Sequence, residues 1–198
     1  MILAAFRRGP QNRNIHVLYG TIVAQARSAA FYTDYGIPDT VEGRFELIVL
    51  HLVLVLDRLR RSAESSKASS PSLGPNPTGR MVGQTLGQRL FDVFCRDLDH
   101  NLREMGVGDM AVSREMRRFG EAFYGRQAAY CAALAAKDQR ELEMALSRNI
   151  FADSGANGKA VRLARYVRAA ASALGDVEQD VLAAGKVVFP RPETFVHE

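Results

Sequence analysis

The chain has no tryptophan, only two cysteines among its 198 residues, and just four lysines. Cys95 and Cys131 stand alone, without a CxxC spacing. That excludes a disulfide scaffold and a thiolate metal site and points to a reducing compartment. His16, His51, His100 and His197 show no i,i+4 pairing with one another, so no metal is expected. The longest apolar run, Leu47 to Leu56, is interrupted by His51 and falls short of the roughly 20 residues that span a bilayer. A P-loop, a Gly-x-Ser-x-Gly elbow and a dinucleotide fingerprint are all missing, which leaves no enzyme and no cofactor to expect.

What is present is ordinary for a globular chain: 47% hydrophobic and 24% charged residues, with a formal net charge of +4. A chain of this length buries roughly 70% of the surface its unfolded form exposes, enough for one domain without staples. The 26 basic residues, nearly all arginine, are interleaved with 22 acidic ones. No DNA partner is expected from that balance, only a mild bias toward ribosomal RNA or an acidic membrane surface. No acid precedes Asp34, and Ile2, Leu3 and Phe6 sit beside Arg7 and Arg8; residues 1–14 are expected to be a flexible arm, compatible with a peripheral membrane contact.

Apolar periodicity predicts an all-α, single compact domain of about six helices over residues 15–184. A first helix is expected over Ile15–Phe31 and a turn at Gly36 and Pro38. A second, central helix follows over Val41–Arg61, capped by Asp39 or Thr40. Six serines with Pro71, Pro75 and Pro77 mark residues 62–80 as a flexible loop. In the third helix, Val82–Met105, the residues Leu90, Phe94, Leu98, Leu102 and Met105 share one arc and Asp92, Arg96, Asp99 and Arg103 another, with Asp97 and Asn101 half-buried between. Gly106 is expected as a left-handed cap and Asp109 or Ser113 as the start of a helix over Val112–Ala136. Further helices are expected over 138–149 and 159–184, with a possible break at Gly175. An extended tail over 185–198 is expected to dock through its apolar residues, and the methionines are expected to face mostly the core.

Two segments are richer in special residues than a plain bundle requires. One is Phe31-Tyr32-Thr33-Asp34-Tyr35-Gly36-Ile37-Pro38-Asp39-Thr40 with Gly43-Arg44-Phe45-Glu46. The other runs from Leu90-Phe91 through Leu102-Arg103-Glu104-Met105-Gly106-Val107-Gly108-Asp109 to Phe123-Tyr124-Gly125-Arg126. Over about residues 15–175 these segments resemble the ubiquinol–cytochrome c chaperone family. The resemblance implies an all-α, non-enzymatic assembly factor that contacts newly made cytochrome b for ubiquinol–cytochrome c reductase. Mitochondrial members act with a small partner protein at the ribosomal tunnel exit. The lack of a long presequence makes this chain look more like the bacterial form, and so cytoplasmic or peripheral at the inner membrane. Client-contacting candidates are Tyr32, Tyr35, Gly36, Asp39, Gly43, Arg44, Glu46, Glu104, Gly106, Gly108, Asp109, Tyr124, Gly125 and Arg126. Close helix approach is the structural alternative for Gly43 and Gly125, and internal pairing with Glu46, Asp39, Asp97 or Asp109 is the alternative for Arg44 and Arg126. Two other functions stand beside this one: an RNA- or ribosome-binding module using Lys159, Arg162, Arg165 and Arg168, and a metal-dependent enzyme using Asp97, Asp99, Glu104 and Asp109.

Overall fold

A computed structural model describes residues 10–68, 77–136, 139–152 and 157–196. Among these the chain is all-α: α1 Pro10–Ala26, α2 Ala30–Thr33, α3 Val41–Ala68, α4 Pro77–Glu104, α5 Asp109–Ala135, α6 Gln139–Ile150, α7 Asn157–Gly175 and α8 Gln179–Ala183, closed by a 3-10 turn at Pro192–Phe195. The first helix therefore starts inside the expected arm and stops five residues early. Arg27 N–H turns back to both the Val23 and Ala24 carbonyls, and the Tyr32 hydroxyl donates to the Ala26 carbonyl at 2.9 Å, so the chain is redirected into α2 with its last carbonyl satisfied. Part of the expected serine- and proline-rich loop is helical. Residues 62–68 continue α3 and Pro77 opens α4, where proline suits the first helical turn; residues 69–76, like 1–9, lie outside the described part.

The middle of α3 is the centre of the molecule. Leu47, Val49, Leu50, His51, Leu52, Val53, Leu54 and Val55 are all essentially inaccessible, and α1, α4, α5, α6 and α7 pack around them. A helix apolar on every side can be stable in water only when other helices surround it. Thr40 caps it, its hydroxyl accepting the Gly43 N–H at 3.1 Å. On α4, Leu90, Phe94 and Leu102 are buried as the arc requires, but Met105 lies past the last helical residue and is 59% exposed. Met110 and Met144 are exposed too, so the expected inward orientation of the methionines fails for these three. Asp97 and Asn101 are exposed rather than half-buried. Gly106, at φ +81°, caps α4 as expected, with Val107 N–H returning to the Leu102 carbonyl. The N-cap of α5, however, is Gly108, with no side-chain hydrogen bond, and Asp109 is the first helical residue.

His51 is the buried polar group that sets the packing. A carbonyl can only accept, so Nδ1–H donates to Leu47 O at 2.7 Å; the other ring nitrogen, Nε2, then accepts from the Tyr166 hydroxyl at 2.7 Å. Tyr166 accepts in turn from Gln25 Nε2 at 3.0 Å, and the same amide reaches the Pro190 carbonyl at 3.1 Å. The chain of bonds joins α3, α7, α1 and the tail with every member satisfied. Beyond the predicted break at Gly175, α8 ends at Ala183 and is closed by Gly185, φ +80°. From there the tail runs extended beside α1: Asn14 donates to Ala183 O at 3.2 Å, and Gln25, three helical turns on, holds Pro190. Val187 and Phe189 point inward and Val188 outward.

Burial holds the His51 imidazole down at about 4, the Leu47 hydrogen bond opposing only in part. The folded state therefore binds its proton less readily than the unfolded chain. Stability is full above about 6.5 and drains away as pH falls toward 4. Against His51→Gln, which keeps a donor and an acceptor but cannot titrate, the wild-type chain is expected to lose about 3 kcal/mol of relative stability between pH 7 and pH 4, read from urea titrations of both proteins.

Candidate functional site

The expected site residues fall into three places. Around the α2–α3 turn, Tyr35 is fully buried, its hydroxyl donating to the Pro192 carbonyl at 2.7 Å, and burial pushes that phenol up to about 12. It is a core group and cannot meet a client in this conformation. Tyr32 is half-buried and spends its hydroxyl on Ala26. Gly36 needs its φ of +64°, and a Cβ there would also meet the Lys159 side chain, whose Nζ would lie 2.7 Å away. Gly43 is required for a different reason from the expected helix–helix approach: a Cβ would stand 2.0 Å from the Pro38 carbonyl oxygen of its own turn. Arg44 pairs with Asp39, Nε to Oδ1 at 2.6 Å, both exposed.

One of the expected internal pairings links this turn to α5. Arg126 grips Glu46 through Nε–Oε2 at 2.7 Å and through its Nη2 to Oε1, with both side chains largely shielded. Burial raises the Glu46 carboxyl, and the Arg126 hydrogen bonds pull against that rise without cancelling it. Such a pair adds little net stability over apolar packing, but removing one member strands a buried charge.

The second place is the α4–α5 junction, where Glu104, Gly106, Gly108 and Asp109 are exposed. Asp109 lies seventeen residues before Arg126 on α5, about 25 Å along the axis, so the structure does not bring the two groups into one site. Its carboxylates are individually engaged. Asp109 and Asp99 are both held by Arg103, Glu104 stands 3.2 Å from His100, and Asp97 accepts from Tyr19 at 2.8 Å. Among the described residues no group of three His, Cys, Asp or Glu side chains is arranged to hold a metal.

The third place is the outer face of α5. Tyr124 is 60% exposed, its ring 6.1 Å from Phe91 on α4 and 5.8 Å from the buried Phe123. Gly125, unlike Gly43, has nothing within 4 Å of a built Cβ, so no close helix contact explains it. Below it Ala128, Ala132 and Ala135 are also exposed. Over residues 122–136 the sole charge is Arg126, which is turned inward to Glu46. Phe45 of α3 lies 4.8 Å from Phe119 and stacks on the buried Phe94 at 6.1 Å, so a phenylalanine seam holds the inner side of α5, opposite this face. Phe91, Phe119, Ala128 and Ala132 are not among the expected site residues; the near-absence of charge over 122–136 is the sequence signal for Ala128 and Ala132, while Phe91 and Phe119 carry no such local mark. The basic row on α7 offers no comparable surface, because only Lys159 is exposed and Arg168 reaches the Ala133 carbonyl.

Residues 33–189 match the model of the ubiquinol-cytochrome C chaperone family, and that span holds the turn, the junction and the α5 face together. The chain belongs to that family. A crystal structure of the Cbp3 homolog from Brucella abortus is similar over 98% of both chains, with a TM-score of 0.77 and 35% sequence identity. Ubiquinol-cytochrome c reductase complex assembly factor 1 of Drosophila melanogaster is 25% identical over 167 residues, 83% of this chain but 59% of the fly protein's own length.

Family membership and the geometry above yield two contrasting expectations. Gly43→Ala should cost about 2–3 kcal/mol, because backbone must move, whereas Gly125→Ala should stabilise by about 0.5–1 kcal/mol, the ordinary helical preference; thermal melts of the two variants check this. Arg126→Met should cost about 3–5 kcal/mol and the Arg126→Met/Glu46→Leu pair much less, measured as a double-mutant cycle by urea unfolding.

Proposed function

We propose that this protein is a non-enzymatic chaperone that holds newly made cytochrome b for assembly into ubiquinol–cytochrome c reductase, and that the client lies on the outer face of α5. Membership of a chaperone family supports the activity, and the carrying observation for the site is the uncharged, exposed run from Tyr124 through Gly125 to Ala135. A membrane-destined segment offers apolar side chains and few charges. A helix face made of one large amphipathic ring and small residues lets such a segment approach closely without desolvating an ion. Phe91 extends the apolar surface beside Tyr124, and the Glu46–Arg126 pair fixes the helix without presenting charge outward. Tyr35, Gly36 and Gly43 act behind it by fixing the α2–α3 turn from which α3 and Glu46 start.

No described helix is long and apolar enough to cross a membrane. We place the proposed activity at the cytoplasmic side of the membrane, where the client is made, with the acid-free stretch ahead of Asp34 as the part suited to an anionic lipid surface.

Ala132→Arg is expected to leave the melting temperature within a few degrees, since its site is exposed, and to cut recovery of apocytochrome b by about tenfold, the effect of one charge set against an apolar contact. Co-purification from membranes after brief arrest of translation measures it; unchanged recovery contradicts the placement on α5.

A further inference from the structure

The tail from Lys186 to Val196 is bound in a manner unlike the rest of the fold. Among the described residues no main-chain hydrogen bond joins residues 187–192 to the body of the protein. The body instead reads the tail through side chains aimed at two of its carbonyls, Gln25 to Pro190 at 3.1 Å and Tyr35 to Pro192 at 2.7 Å. Arg191 between them has φ −68° and ψ 124°, near the polyproline II region. The Phe-Pro-Arg-Pro segment thus stays extended on its own account. Its aromatic anchors lie edge-on in a ring-lined groove: Phe189 5.2 Å from His51, and Phe195 6.0 Å from Tyr166, with Tyr35 and Phe31 forming the remaining wall. Carbonyl-directed hydrogen bonds, aromatic slots and a preformed proline-rich ligand are the components by which grooves recognise proline-containing peptides. The tail is joined to the body at Gly185, whose left-handed backbone packs closely against Asn14.

We propose that the groove between α1, α2, α3 and α7 is a peptide-binding site and that the tail is its built-in ligand, which swings away at Gly185 when an extended, proline-containing apolar segment of the client takes its place. The groove's hydrogen bonds select carbonyl positions, not tail side chains, so a second chain with the same aromatic-Pro-x-Pro spacing meets the same partners. This second site extends the client-binding function above; only the identity of the competing segment rests on it.

The test uses the full chain and a labelled synthetic peptide of residues 184–196. A tethered tail competes at an effective concentration of about millimolar, so wild type should bind the peptide weakly. Phe189→Ala/Phe195→Ala, which alters the tail and leaves the groove intact, should bind it at least ~10-fold more tightly. Equal affinity in a variant that still melts cooperatively overturns the proposal. Should that variant not fold, Val187→Cys in the full chain decides. Alkylation of its buried thiol through local release should run at least ~100-fold faster than that of Leu50→Cys in the core, and equal rates, meaning release only by global unfolding, overturn the proposal. Neither arm contains cytochrome b, so failure here leaves the α5 surface standing, and failure of client capture leaves this result unaffected.

Discussion

The hydrogen bond between His51 and Tyr166 is the constraint on which the rest of the architecture turns. A helix as apolar as α3 could rotate or slide among its neighbours with little change in buried area. One imidazole that must donate to its own helix and accept from α7 leaves a single register. Because Tyr166 must then find a donor for its oxygen, Gln25 and with it α1 are fixed as well, and the same amide reaches on to the tail. Loss of any one bond leaves buried polar atoms unpaired, which is costlier than never having placed them there. The core is thus specified by a short polar chain inside an apolar mass.

A second, partly buried polar pair, Glu46 with Arg126, does the same for the other half of the molecule. It ties the start of α3 to the middle of α5, where the phenylalanine seam from Phe45 to Phe119 and Phe94 supplies the apolar area. The consequence for function is indirect. Held in place from within, α5 can leave its outer face from Tyr124 to Ala135 free of charge, with no ion pair of its own on that side.

Helix existence, the central place of α3, the break at Gly175 and the Gly106 cap were legible in the sequence because each depends on local chemistry: spacing of apolar residues, a serine or threonine cap, a glycine that accepts positive φ. Boundaries were less so. Ser62 to Ala68 reads as loop by composition, yet those residues extend a helix already anchored by the run of buried side chains from Leu47 to Leu59. Long-range partners were legible only as alternatives. Arg126 had four candidate carboxylates, and the fold chose the one 80 residues away. The glycines misled in opposite directions. Gly43 is indispensable to its own turn, and Gly125 touches nothing, because a helical glycine looks the same in sequence whether or not anything approaches it. The His51–Tyr166 bond, across 115 residues, left no trace in any local pattern.

In the proposed function an unassembled apolar client lies along α5. Site-specific photo-crosslinking in cells that make cytochrome b tests it most directly, with the reactive group placed at position 124 or 132 on α5 and, as the opposing control, at the exposed position 17 on α1. Crosslinks to cytochrome b are expected from 124 and 132 and none from 17. Crosslinks from 17 alone, or from none of the three positions while the client still co-purifies, would contradict it.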